Sequence, residues 1–193
     1  MKMTSTFRTM LDIALVMSLV VGLAPSTAAS STDPSGTWLT EDGRGRIRVE
    51  RCGVKLEQIC GYIVWMKEPF DAKGQPLKDV QNPDLAKRSR LVLGHQLIMG
   101  LAPNFEGHFA GQIYNAENGK FYAISLWRET TDKLRVKGCM LSLFCATQTW
   151  GQVTDALPGQ LVGMTGDPTG PRADKEWVQE VKAKPPATAR AGK

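Results

Sequence analysis

The stretch GHFAGQIYNAENGKFYAISLWR, residues 107–128, decides the fold. Asn118-Gly119 sits between two runs in which apolar and polar residues alternate. Asn-Gly favours the positive φ of a tight hairpin turn, so Gly107 to Asn115 and Lys120 to Arg128 read as adjacent antiparallel strands. The same grammar repeats on either side. Downstream, the polar turn Glu129 to Asp132 leads into Lys133 to Leu141, and Phe144 to Gln152 follows. Upstream lie Thr37 to Thr40, Arg44 to Cys52, Ile59 to Met66 and a run near Gly94 to Met99. Helical spacing of apolar residues is nearly absent among them. Eight short strands punctuated by Gly, Asn, Asp and Pro predict an all-β antiparallel meander.

The four cysteines fall into two close pairs, Cys52 with Cys60 and Cys139 with Cys145. Neither pair has the spacing of a zinc knuckle, and the chain has only His95 and His108 to complete one, so the reading is two disulfides and no metal. C-x-x-C, the usual redox spacing, is absent. Strand parity agrees with bridges on an outer face. Cys52 alternates in phase with Arg44, Arg46 and Arg48, and Cys139 with Arg135 and Lys137, whereas Leu134, Val136 and Met140 point the other way. If Cys60 and Cys145 also face outward, the inward sets are Ile59, Gly61, Ile63 and Trp65, and Phe144, Ala146, Gln148 and Trp150. The Arg44-Arg46-Arg48 face is expected to meet solvent.

Between the third and fourth strands, Lys67 to Arg90 is polar and broken by Pro69, Gly74, Pro76 and Pro83. Asp84 is placed to cap a short helix, Leu85 to Arg90. Asp71, Asp79 and Asp84 lack the every-second-residue spacing of a calcium loop. Asp79, Asn82 and Arg88 are expected to tie this excursion to the strands, with Arg88 and Arg90 as a weaker candidate rim site for a polar or anionic headgroup. After Gln152 the pattern fades into a Pro- and Gly-rich basic tail, residues 155–193, expected to be flexible apart from a helix at Ala173 to Lys182.

The N-terminus carries a targeting signal. Lys2 and Arg8 precede the apolar stretch Ile13 to Leu23, Pro25 breaks it, and Ser26-Thr27-Ala28 offers small residues for cleavage. The stretch is shorter than the ~20 apolar residues of a membrane span. Residues 1–28 are therefore read as a signal peptide, residues 29–154 as the folded domain, and the compartment as periplasmic. A composition of 42% hydrophobic and 22% charged residues suits a globular domain with its own core. The formal net charge is +5, but residues 172–193 hold six Lys or Arg against three Asp or Glu. The excess lies in the tail rather than in a stripe with aromatics, which argues against nucleic acid as a partner.

Several segments together resemble a family of exported bacterial proteins, domain of unknown function 2147, from Gly36 to Trp150. They are Gly36-Thr37-Trp38 with Glu41-Asp42-Gly43, Cys52-Gly53 with Cys60-Gly61-Tyr62-Ile63-Val64-Trp65, and Asn82-Pro83-Asp84 after Gly74 and Asp79, with Arg88. Further along come Ile113-Tyr114-Asn115, Glu117-Asn118-Gly119-Lys120 with Tyr122, and Thr147-Gln148-Thr149-Trp150 after Leu143-Phe144. The resemblance implies an all-β, eight-stranded antiparallel up-and-down, lipocalin-like barrel, with a long loop between strands three and four, in the cell envelope. It implies no established activity. The chain departs from the family pattern at Cys145-Ala146, where Gly-Arg is usual, and at Leu91, where Pro is expected. The second bridge is therefore a feature of this branch.

An eight-stranded barrel is either packed solid or holds one small ligand. Trp38, Trp65, Tyr114, Tyr122, Trp127 and Trp150 can serve as core packing. Alternatively Trp65, Tyr122 and Trp150, with Trp38 and Arg88, line a ligand site. An inward Gln148 would need a partner there. No nucleophile-and-base pairing, G-x-S-x-G or cofactor fingerprint occurs, so neither an enzyme nor a bound cofactor is expected. The function expected is binding or carriage of a small apolar or amphipathic molecule, without stable membrane insertion. The alternative is an envelope interaction protein with a packed, ligand-free barrel.

Overall fold

The computed structural model describes residues 32–140 and 144–175. Eight strands form one closed antiparallel barrel in sequential order. They are β1 (Gly36–Leu39), β2 (Gly45–Cys52), β3 (Gln58–Met66), β4 (Gln96–Pro103), β5 (Phe109–Asn115), β6 (Lys120–Thr130), β7 (Lys133–Met140) and β8 (Phe144–Val153). All eight predicted strands are present. Closure comes from β1 pairing with β8, Trp38 opposite Gln152. The Asn118-Gly119 hairpin joins β5 to β6 in unbroken register, Phe109 opposite Leu126 through Asn115 opposite Lys120. The fourth strand starts two residues later than expected and runs on to Pro103. Its register shifts between Ile98 and Ala102, around Gly100 with its φ of +56°, the bulge that an alternation count cannot see.

The core is one cluster inside the barrel. Trp38, Ile59, Ile98, Leu101, Leu126 and Leu134 are wholly buried, and Trp150 nearly so. The Trp38 indole N–H donates to the Pro34 carbonyl at 2.9 Å, so the largest core side chain carries no unmet donor. Burial of each such aliphatic side chain is worth about 1.5–3 kcal/mol.

Both disulfides form, Cys52 to Cys60 and Cys139 to Cys145. Opposed pairs share a face, and Glu50 opposite Cys60 puts the first bridge on the outside, as parity predicted. Trp65 does not follow that parity. The register slips between Arg46 and Ile47, so Trp65 lies opposite Arg46 and shares its outer face, while Ile63 lies opposite Ile47 inside.

Two expectations fail together on that outer face. Arg46 is buried rather than solvated, and residues 155–175 form an ordered strap over β2 and β3 rather than a flexible tail. Arg46 Nη1 donates to the Asp155 carbonyl and to Gln160 Oε1, and Arg48 Nη2 donates to the Leu161 carbonyl at 2.7 Å. The strap's backbone joins the barrel too, Leu161 N–H donating to the Val64 carbonyl and Arg172 N–H to that of Gly94. Cys52, Cys60 and Tyr62 are buried beneath it with Ala173. Of the helix expected at Ala173 to Lys182, residues 176–182 lie outside the described residues, as do residues 1–28, which the sequence reads as a signal peptide.

Candidate functional site

The turns at 40–44 and 116–119 and the long excursion 67–95 gather at one end of the barrel. There they frame a cleft of about 530 Å3. Ile47 and Ile63 reach it from the inner faces of β2 and β3, and Met66, Phe70, Leu77, Val80 and Val92 wall it. Phe70 is 58% exposed and Val80 60%. Large apolar side chains turned into an open concave surface are the mark of a binding site rather than a core. Charges sit at the rim, where Arg44 pairs with Glu117 at 3.3 Å. A hydrogen bond from the Thr40 hydroxyl, ahead of the backbone N–H of Arg44, holds the Asp42 carboxyl below its ordinary range.

The excursion is pinned by a buried polar hub. Asp79 is wholly buried and accepts from the Tyr114 hydroxyl at 2.5 Å, from Asn82 Nδ2 at 2.7 Å and from Arg90 Nε at 2.9 Å. Arg90 Nη1 reaches across to Asp174 at 2.6 Å, and Lys87 Nζ joins the same carboxylate at 2.8 Å. The hub thus couples the mouth excursion to the strap. Burial, then the hydrogen bond to Asp79, raises the Tyr114 phenol well above its usual range, so it stays a donor. His95 packs edge-on against Tyr114 with both ring nitrogens buried and without partners among the described residues. Burial, reinforced by the Arg90 charge, lowers its pKa to about 4.

Glycine at 119 does two jobs. It takes φ of +70°, and an added Cβ would lie 2.0 Å from the Gln81 carbonyl oxygen. The excursion backbone therefore rests directly on the β5–β6 turn.

The sequence-predicted residues do not converge on one place. Trp38 and Trp150 belong to the packed floor of the barrel. Tyr122, opposite Ile113, is half-buried and its hydroxyl accepts from Asn118 Nδ2 at 2.9 Å. Trp65 stands on the outer face with the Arg46 guanidinium 5.9 Å from its ring centre. Gln148 is exposed, contrary to the expectation of a buried polar group, and it accepts from the Trp150 indole N–H at 2.9 Å. Arg88 donates to the Asn82 carbonyl at 2.7 Å and lines no part of the mouth, and Arg90 is spent on Asp79 and Asp174. The loop-tying role expected of Asp79, Asn82 and Arg88 is what the geometry displays. Sequence reading missed Phe70, Leu77, Val80 and Val92. The available signal was apolar residues spaced through an otherwise polar loop. Among the described residues no three His, Cys, Asp or Glu side chains are grouped to hold a metal, and no helix is long and apolar enough to cross a membrane.

A closed eight-stranded antiparallel barrel with an apolar cleft at one mouth defines a lipocalin-like architecture. The chain belongs to the family described as uncharacterized protein conserved in bacteria (DUF2147), whose model matches residues 36–152. Among solved structures it is similar to protein HP1028 from Helicobacter pylori, described as belonging to the lipocalin family. That match has a TM-score of 0.52 at 18% identity, over 65% of this chain and 86% of that one. No curated protein matches.

Proposed function

We propose that this protein binds a small apolar or amphipathic molecule in the mouth cleft and works in the periplasm as a binding or carrier protein, without catalysing a reaction. One observation carries the reading. Phe70 and Val80 are large apolar side chains held over a 530 Å3 cleft by a costly buried hub, rather than folded into the core. A ligand there gains ~25 cal/mol per Å2 of apolar surface removed from water, before ordering costs, and the charged rim orients a polar end. The packed floor around Trp38 and Trp150 limits the ligand to the mouth. The two disulfides favour an oxidising compartment, and the N-terminal 28 residues read as the export signal that leads there.

Native mass spectrometry of protein isolated from its own envelope tests this, together with titration by the neutral fluorophore N-phenyl-1-naphthylamine. A co-purifying small molecule, or saturable 1:1 probe binding weakened at least fivefold by Phe70→Ala, supports the reading. Unloaded protein whose probe signal is unchanged in Phe70→Ala overturns it. That result favours the second reading, an envelope interaction protein with a solid barrel, for which the packed floor is the supporting observation.

A further inference from the structure

A second cleft, of about 580 Å3, lies outside the barrel, where residues 162–173 arch over β2 and β3. It shares no lining residue with the mouth. Arg48 and Arg172 line it with the single carboxylate of Glu50, whereas Arg51, of opposite strand parity, lays its guanidinium 4.9 Å from the Phe109 ring centre. Among the described residues Arg48 donates to the carbonyls of Leu161 and Gly163, which uses two of its five N–H donors without neutralising its charge. Arg51 pairs with Asp33 at 3.3 Å. The exposed Arg172 side chain has no partner among the described residues. With Asp33 counted, one positive charge remains over, which matches a monoanion better than a dianionic phosphate.

The second observation is Tyr62. It is 2% exposed and lines the cleft, yet its hydroxyl has no hydrogen-bond partner among the described residues. Its oxygen keeps contact with solvent at the cleft. Burial, then the Glu50 and Asp174 carboxylates, pushes the phenol pKa up, so the group is a donor waiting for an acceptor. The rest of the wall is apolar, with Leu56 52%, Val162 66% and Met164 76% exposed. Unneutralised guanidinium groups, a phenol donor with no described partner and exposed hydrocarbon form the recognition chemistry of an anion with a tail.

We propose that this outer cleft binds a single-chain amphipathic carboxylate, its head held by Arg172, Arg48 and the Tyr62 hydroxyl and its chain laid along Leu56, Val162 and Met164. The site is independent of the mouth, and two methionines report on them separately, since Met164 lines the outer cleft and Met66 the mouth. The test is a titration of the purified protein, labelled with 13C-methyl methionine, with dodecanoate below its micelle concentration. The expected result is a saturable Met164 shift at one equivalent. Arg172→Gln should weaken binding at least tenfold, Tyr62→Phe severalfold, and methyl dodecanoate should bind at least tenfold more weakly. A shift at Met66 alone, no shift at all, or unchanged affinity in Arg172→Gln would overturn the proposal. Arg172 is exposed, so its variant decides the question even if Tyr62→Phe folds poorly.

Discussion

Replacing Asp79 by Ala should loosen the mouth and destabilise the whole barrel. The carboxylate is wholly buried and accepts three hydrogen bonds, from Tyr114, Asn82 and Arg90. Hydrogen bonds to charged groups are worth ~1.5–3 kcal/mol each but do not add, and removing one partner of a buried ion pair costs about 3–5 kcal/mol. Arg90 keeps Asp174 at 2.6 Å, so its charge is not orphaned, which places the loss near the bottom of that range, at about 3 kcal/mol. For a domain of this size that is a fall of roughly 6–12 °C in Tm. Urea unfolding followed by tryptophan fluorescence measures it, with a lower midpoint at unchanged m-value as the expected form. Asp79→Asn keeps an acceptor for Tyr114 and should lose about half as much. If Asp79→Ala costs less than about 1 kcal/mol, the hub does not hold the excursion and the reasoning is wrong.

Three further outcomes follow from the same physics. His95 is held neutral, its pKa lowered from 6.5 to about 4. The unfolded chain therefore binds a proton the native state refuses, so stability is lost as pH falls from 6.5 towards 4; His95→Phe should flatten that slope in a urea-midpoint series, and an unchanged slope would assign the loss to other groups. Cys145 is exposed whereas Cys60 is wholly buried under the strap, so limited dithiol treatment followed by alkylation and peptide mapping should label Cys139 and Cys145 first. Labelling of Cys52 and Cys60 first would mean that the strap does not cover them. Arg48→Lys keeps the charge but loses the fork that spans the Leu161 and Gly163 carbonyls. Amide exchange along residues 161–166 should rise at least tenfold, and unchanged protection would separate the strap's order from Arg48.

The meander was legible because strand periodicity is local. One hairpin with Asn118-Gly119 fixes the parity of β5 and β6, and each neighbour inherits an inward and an outward face. Parity failed where a bulge intervened, at Arg46 and Ile47, and this moved Trp65 from the expected interior to the outside. Gln148 failed differently. Its phase on the strand is inward, opposite the buried Val136, yet its side chain is exposed and accepts from the Trp150 indole N–H. Alternation reports the direction of a side chain, not the depth of what lies in front of it. The Asp79 hub was half-legible, since Asn82-Pro83-Asp84 advertises a turn, but its partners Tyr114 and Asp174 are remote in sequence.

The strap exposes the limit of composition. A Pro- and Gly-rich segment has too little apolar surface to order itself, which is why residues 155–175 read as a tail. An irregular backbone also leaves carbonyls that no ladder satisfies. On β2 the opposite deficit exists, because alternation throws Arg46 and Arg48 outward with ten guanidinium donors between them and no neighbouring strand acceptor for those donors. Each element supplies what the other lacks. Arg46 and Arg48 bond the carbonyls of Asp155, Leu161 and Gly163, and Asp155 returns a carboxylate to Arg46 at 3.1 Å. Charged residues alternating on a strand therefore read as a solvated face only while no acceptor-rich segment is within reach. Here one begins two residues beyond the last strand, which ends at Val153, and covering that face creates the outer cleft that the barrel alone would not have.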